Sequence, residues 1–289
     1  MQQRGVKIIG FGMAIPGYDG VPGRIVDNNE IAAILKKVGE TRANKKRLRG
    51  EKREEFLKDY LTTDHDIRKR SHIITRSFAD DTTATSDLAI IAAQRALDDT
   101  GLSIDNVDLI KVATVTPDFL YSPPTAVIVA HGLGHDPGKI LFGNDSMLAC
   151  SSFNAAFMEA YDAIASGRCK TALVIGSDKM SITTKKTIKF YPLLGDGAAT
   201  AVLVECPEDE SWFSPDSFFG LMDGFGIDLI KARAGGSRLP LTHQLLDNEA
   251  HLLDMDGRKE YEYVIEKSCP HLGFSEESAI RRVIEKNGL

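Results

Sequence analysis

Cysteine is scarce in this chain and its spacing rules out several chemistries. Cys150, Cys169, Cys206 and Cys269 are the four in 289 residues, and no two stand in a C-x-x-C pair. A zinc ribbon and a disulfide framework both need closer, regular spacing; scattered thiols suit a reducing compartment. No metal site and no bound cofactor are expected. Long apolar runs are also missing: none approaches the length of a membrane span, and Met1-Gln2-Gln3-Arg4-Gly5 leads straight into a strand-like segment without a signal-peptide core. The expectation is a cytoplasmic protein with no membrane partner. A basic excess is absent too. The formal net charge of -6 argues against nucleic-acid binding, which wants a basic face.

What is present is an ordinary globular composition with strands and helices in alternation. Val6–Gly12 reads as a first strand. Asp27-Asn28-Asn29-Glu30 supplies capping chemistry for a helix starting near Asn29. The stretch from Lys36 to Lys58 is dense in both charges, as a solvated helical insertion or a docking face for an acidic partner would be. His72-Ile73-Ile74-Thr75 is a short strand candidate. Thr85-Ser86-Asp87 opens a helix that Gly101 closes, and Val107–Val115 is a strand. A helix from about Pro124 to His131 follows, then Ile140-Leu141-Phe142 as a buried strand, a helix ending at Gly167, and an apolar strand from Thr171 to Ser177. Ala199–Glu205 is another strand. Cys206-Pro207 to Pro215 looks like a junction, which divides the chain into 1–206 and 207–289. Beyond it, Phe218–Met222 reads as a strand, with helices at Gly257–Ser268 and Ser275–Lys286. This alternation predicts an α/β layered fold.

The stretch Asn144–Phe153 carries the most chemistry. Small residues lead to Cys150, and Phe153, Phe157, Ala160 and Ile164 then recur at helical spacing. Cys150 is therefore placed at a helix start, where the dipole and unpaired N–H groups favour an anion and hence a thiolate. Position alone leaves two readings, a structural cysteine in a sharp turn or a nucleophile.

Several stretches in order resemble the β-ketoacyl-ACP synthase III family of thiolase-fold condensing enzymes. They include Ile8–Gly12, Ile67-Arg68-Lys69-Arg70, Thr85–Ala89, Thr116–Leu120, Ala149–Phe153, Leu173–Asp178, Gly195–Ala198 and Met255–Arg258. The resemblance implies a thiolase-like layered fold (α-β-α-β-α), its N-terminal half complete and its C-terminal half incomplete. It implies that Cys150 takes an acyl group from a thioester and that the acyl-enzyme condenses with malonyl-ACP by decarboxylation. It implies an acyl carrier protein as partner and a homodimer, with Phe119 and Leu120 lining the acyl tunnel or the dimer interface. Tyr60 falls where the family has a tryptophan that stacks on the adenine of CoA. Asp64 stands in place of that tryptophan's arginine partner, and Asp66 replaces a glycine. The aromatic stack would survive without its cation, which counts against CoA priming and points to an ACP-bound or specialised acyl donor, the choice between CoA and ACP staying open.

The family's Pro-His-Gln and His-Gly-Asn motifs, whose histidine and asparagine stabilise the enolate, do not occur in these residues. Thr242-His243-Gln244 precedes Met255-Asp256-Gly257, the wrong order, and Cys269-Pro270-His271 lacks the glutamine. The expectation is a fragment, or a chain completed by another, capable of acyl loading on Cys150. The alternatives are a non-catalytic partner subunit of a heteromeric condensing enzyme, or another thiolase-superfamily Claisen or polyketide synthase.

Overall fold

A computed structural model describes residues 4–218 and 224–268. The chain divides into two compact units, one of Met1–Arg24, Ser77–Lys179 and Asp196–Phe218, the other of Ile25–Arg76, Met180–Gly195 and Phe219–Leu289.

The first unit is built on a five-stranded mixed sheet. Its strands are β1 (Gly5–Ala14), β4 (Leu109–Ala113), β5 (Phe142–Ser146), β6 (Thr171–Lys179) and β7 (Asp196–Cys206), in the order β1-β7-β6-β4-β5. β5, β4 and β6 run parallel; β7 is antiparallel to both β6 and β1. The central strands are rich in β-branched and leucine side chains and buried on both faces: Leu173, Ile175, Val202 and Leu203 are fully buried. One face carries α4 (Thr85–Thr100) and α5 (Thr125–Gly132) over Ile110, Val112, Leu173 and Val202. The other carries α6 (Ser152–Ala165) over Leu109, Val174 and Leu203.

β1 contains a bulge. Ile8 pairs with Leu203 and Gly10 with Val202, so Ile9 has no partner of its own. The bulge turns Gly10 and Gly12 toward α4. A Cβ on Gly12 would lie 2.1 Å from the Ala92 carbonyl oxygen and 2.5 Å from the Ala96 nitrogen, so the strand reaches the helix backbone only because it has no side chain there. α4 itself starts as its sequence asks: Asp87 accepts from the Ala84 N–H at 2.7 Å, and Gly101 closes the helix at φ +69°.

The strand expected at Ile140–Phe142 lies further along. β5 is Phe142–Ser146, and Ile140 and Phe142 are 94% and 67% exposed. The apolar run is not a buried strand, because among the described residues β5 is the edge of the sheet and pairs with β4 alone. The strand predicted at His72–Thr75 is also displaced: β3 is Thr75–Phe78, and His72 ends a helix in the left-handed region at φ +59°.

In the second unit, α1 (Asn28–Lys45) is capped by Asp27, whose carboxylate accepts from the Glu30 N–H at 2.8 Å. α2 (Gly50–Leu57) buries none of its residues, whereas the α1 part of the charged stretch buries Gly39 and Ala43. α3 (Asp64–Ser71) is held by a Thr63–Asp66 capping box. Also here are α7 (Met180–Thr183), β8 (Ile230–Lys231), α8 (His243–Asp247), β9 (Asp254–Met255) and α9 (Gly257–Ser268), with β8 and β9 antiparallel. A further short pair joins β2 (Arg24–Asp27) to β3. The strand predicted at Phe218–Met222, but for Phe218, and the helix predicted at Ser275–Lys286 lie outside the described residues, as do Cys269 and His271. Among the described residues, no helix is long and apolar enough to cross a membrane, and no cluster of three metal-ligating side chains occurs.

Candidate active site

Three parallel strands end side by side, since Ala113 is in register with both Ser146 and Gly176. Their carboxyl ends are where α/β sheets commonly place a site. The chain leaving β4 carries Phe119 and Leu120, that leaving β5 carries Cys150, and β6 contributes Asp178. The sheet thus directs Cys150, Phe119 and Leu120 from one end of one unit.

Cys150 is exposed and occupies a 3-10 turn, Ala149–Ser151, immediately before α6. Ala149 takes a left-handed backbone, φ +49°, which a side chain disfavours. The turn is pinned by one hydroxyl. Ser152, buried at the start of α6, accepts from the Leu148 N–H at 2.8 Å and donates to the Ala149 carbonyl at 2.7 Å. The helix behind it is fixed by packing. Ala156, Ala160 and Ile164 are fully buried, the Phe153 ring lies against the position where Gly176 lacks a side chain, and Phe157 meets Phe213 edge-on at 5.0 Å. A thiol held out at a helix start can form a thiolate beside N–H groups that would also receive a developing oxyanion.

The loops around it are anchored by half-buried acids. Asp178 accepts from Thr114 Oγ1 and Thr116 Oγ1 at 3.0 Å and from the Val115 N–H at 2.8 Å. Burial still pushes its carboxyl above the usual carboxylate range, the three donors pulling the other way. Asp145 accepts from the Thr125 and Ala126 N–H groups and so caps α5. Asp118 accepts from Ser86, which ties the Phe119–Leu120 loop to α4. Lys179 extends this frame: buried, it donates to the carbonyls of Asp80 at 2.6 Å and Thr83 at 2.7 Å. None of these anchors stood out in the sequence, although the Thr-Pro-Asp and Gly-Ser-Asp triplets mark two of them. Phe119 and Leu120 themselves are 54% and 70% exposed.

Tyr60 lies in the other unit and is buried. Its ring packs on Gly39 and Phe56, and the Arg42 guanidinium lies over it, 5.4 Å from the centroid. The cation beside this ring is Arg42 of α1. Asp64 accepts from Arg68 and Asn28, each at 2.8 Å, which holds its carboxyl below the usual range.

The thiols differ sharply. Burial pushes Cys169 up to about 11, whereas Cys150 stands in the open. Brief alkylation with iodoacetamide at pH 8 is expected to modify Cys150 and spare Cys169. Peptide mass spectrometry showing Cys169 modified as fast as Cys150 would contradict this placement.

A mixed sheet with helices on both faces, and a cysteine at the joint between a parallel strand and a buried helix, is a thiolase-like α/β fold, and solved structures share it. A 3-oxoacyl-(acyl carrier protein) synthase III from Pseudomonas aeruginosa superposes with a TM-score of 0.71 at 24% identity, covering 99% of this chain and 72% of that one. The priming β-ketosynthase of the R1128 polyketide pathway gives 0.68 at 21% identity, covering all of this chain and 80% of that one. Residues 144–218 match the family model for 3-oxoacyl-[acyl-carrier-protein (ACP)] synthase III. The β-ketoacyl-[acyl-carrier-protein] synthase III of Rhodopirellula baltica is 32% identical over 279 residues, 91% of this chain and 70% of that protein. That of Solibacter usitatus is 35% identical over 207 residues, 71% of this chain and 61% of that protein. The chain belongs to the β-ketoacyl-ACP synthase III family and spans from under two thirds to about 70% of the length of these two relatives.

Proposed function

We propose that this chain is an acyltransferase whose nucleophile is Cys150, performing the loading step of a 3-oxoacyl-ACP synthase III. The observation that carries this reading is the exposed thiol on a strained, hydrogen-bonded turn at the start of α6, within the stretch that the family model matches. The Cys150 thiolate adds to the carbonyl carbon of an acyl thioester. The tetrahedral oxyanion collapses, the carrier leaves as its own thiolate, and the acyl group remains on Cys150 Sγ. Decarboxylative condensation with malonyl-ACP would follow. Family membership favours this over a non-catalytic subunit. Incubation with acyl-CoA and with acyl-ACP, read by intact-protein mass spectrometry, tests it; no acyl adduct from either donor sinks it.

Phe119 and Leu120 supply apolar surface for the acyl chain, and Tyr60, under Arg42, supports the donor's binding face. The acyl carrier protein is the proposed partner, met by the basic residues of α1 and α2, where charge complementarity speeds association. The free thiols go with a cytoplasmic location.

A homodimer through β5 fits the same reading. Among the described residues, this edge strand's outer backbone groups have no sheet neighbour, and Phe142, Ile140 and Val127 are exposed beside or near it. Sedimentation velocity is expected to show a dimer that Phe142→Asp converts to monomer; a wild-type monomer refutes the assignment.

A further inference from the structure

The core that α6 covers in the first unit is apolar, and one lysine is buried beside it. Lys111 lies in β4 between Leu109 and Ala113, two members of that core, and is in register with fully buried Val174 of β6. A lysine is rarely buried without partners. The partners of this one are an amide and an acid. Its Nζ donates to Asn144 Oδ1 at 2.7 Å, and the Glu159 carboxylate meets the same Nζ. Three elements thus bring one side chain each: β4 the amine, β5 the amide and α6 the acid.

The backbone fixes this meeting. Lys111 and Asn144 are directly paired in the parallel ladder, so both side chains leave the sheet on the same face. Asn144 Nδ2 turns away and donates to the Asp145 carbonyl at 3.3 Å, which leaves the oxygen end of the amide toward the amine. The amide carbon is one bond beyond the oxygen that Nζ already touches. Glu159 is the less enclosed member, its side chain 45% exposed against 7% for Lys111, so the group opens to water on the acid's side. An ion pair needs only the lysine and the glutamate. Here a nucleophile, an electrophile and a base are held in contact, the condition under which a slow acyl transfer becomes intramolecular.

We propose that Lys111 and Asn144 join in an intramolecular isopeptide bond, with Glu159 as the proton carrier. Glu159 takes one proton from the Lys111 ammonium, a charge that is costly to keep out of water. The neutral amine adds to Asn144 Cγ and the Nζ–Cγ bond forms. Glu159 gives its proton to Nδ2, the Cγ–Nδ2 bond breaks and ammonia leaves through the open side. Glu159 then takes the proton that the new amide nitrogen sheds. One amide replaces another, and nothing outside the chain is consumed. The bond closes a loop across 33 positions and fastens β5, whose sheet partner among the described residues is β4 alone, at the base of the segment carrying Cys150. Acyl transfer at Cys150 takes no part in it.

Mass spectrometry of the full chain, kept for days at neutral pH, tests it. The intact protein is expected to be lighter than its sequence by one ammonia. Trypsin is expected to leave Lys111 uncut and to release residues 96–139 joined through it to residues 140–168. Lys111→Arg keeps a cation beside Glu159 but offers no amine that can be acylated. Glu159→Gln keeps both reacting groups and removes the base from a partly exposed position, where the fold tolerates the change. The joined peptide is expected to vanish from both variants. A wild-type chain cut at Lys111 and recovered as two linear peptides overturns the bond. Loss of ammonia with Lys111 still cut overturns it equally, because an asparagine that cyclises on its own backbone sheds the same molecule. A joined peptide as abundant in Glu159→Gln as in the wild type overturns the part given to the acid.

Discussion

Cys150→Ala is expected to abolish acyl-enzyme formation, lowering loading from any thioester donor by at least about 10³-fold. The size of the effect follows from the chemistry. The intermediate is a thioester to Sγ, and alanine offers no atom to carry the acyl group. Stability is expected to change little, because the thiol is exposed and the turn is held by Ser152 and by left-handed Ala149 rather than by Cys150 itself. Cys150→Ser keeps an oxygen nucleophile without the thiolate and is expected to load poorly. Intact mass spectra of wild type and both variants, alongside thermal melts, provide the check. An adduct that survives Cys150→Ala would place the nucleophile elsewhere. A variant that loads nothing and also melts far below wild type would mean that the cysteine is structural. Ser152→Ala makes a useful companion: it leaves the thiol intact while removing the hydroxyl that joins Leu148 to Ala149.

Gly12→Ala is expected to be the most damaging small change in the first unit, costing about 3 kcal/mol. The new methyl would stand 2.1 Å from the Ala92 carbonyl oxygen and 2.5 Å from the Ala96 nitrogen. Those are helix backbone atoms, so no side chain can swing aside; α4 must lift from β1, or β1 must leave the ladder it forms with β7. Either motion disturbs a helix whose Leu88, Ala92, Ala96 and Leu97 are almost wholly buried. At about 2–4 °C per kcal/mol for a protein of this size, the midpoint should fall by roughly 6–12 °C. Gly236→Ala is the control, with no atom within 4 Å of the new methyl, and is expected to melt with the wild type. Equal melting of the two variants would show that α4 and β1 do not approach as closely as described.

The sequence announces an element where hydrophobic periodicity and capping agree. α4, α6 and α9 were legible in that way, as were β6 and the start of α1. It fails to do so where tertiary context decides. α3 buries only Ile67 among eight residues, so no apolar stripe announces it; its signal was the Thr63–Asp66 capping box. β5 is Phe-Gly-Asn-Asp-Ser, a sequence with little strand propensity that is placed by pairing with β4, while the more apolar Ile140 beside it stays outside the strand. At the candidate site, the helix start at Cys150 was readable from small residues followed by a helical period. The left-handed Ala149 and the Ser152 bridge were not, since both depend on how strand and helix join. Arg42 was hidden for a different reason: its partners Tyr60 and Glu249 lie eighteen and about two hundred residues away, and nothing local distinguishes it among the charges of α1.

The bulge in β1 makes this strand tolerant of a change in length. Ile8 and Ile9 are the same residue, so losing either leaves one chain, Val-Lys-Ile-Gly-Phe-Gly, in which each remaining residue keeps its β7 partner. Gly10 and Gly12 would still face α4, and Phe11 the opposite side. A one-residue loss beyond the bulge shifts every residue on the shortened side by one and turns a phenylalanine or methionine into the space that now admits only glycine. Single-codon deletions across β1 therefore divide into one silent position, spelled by two identical letters, and neighbours where the same event breaks the joint between sheet and helix.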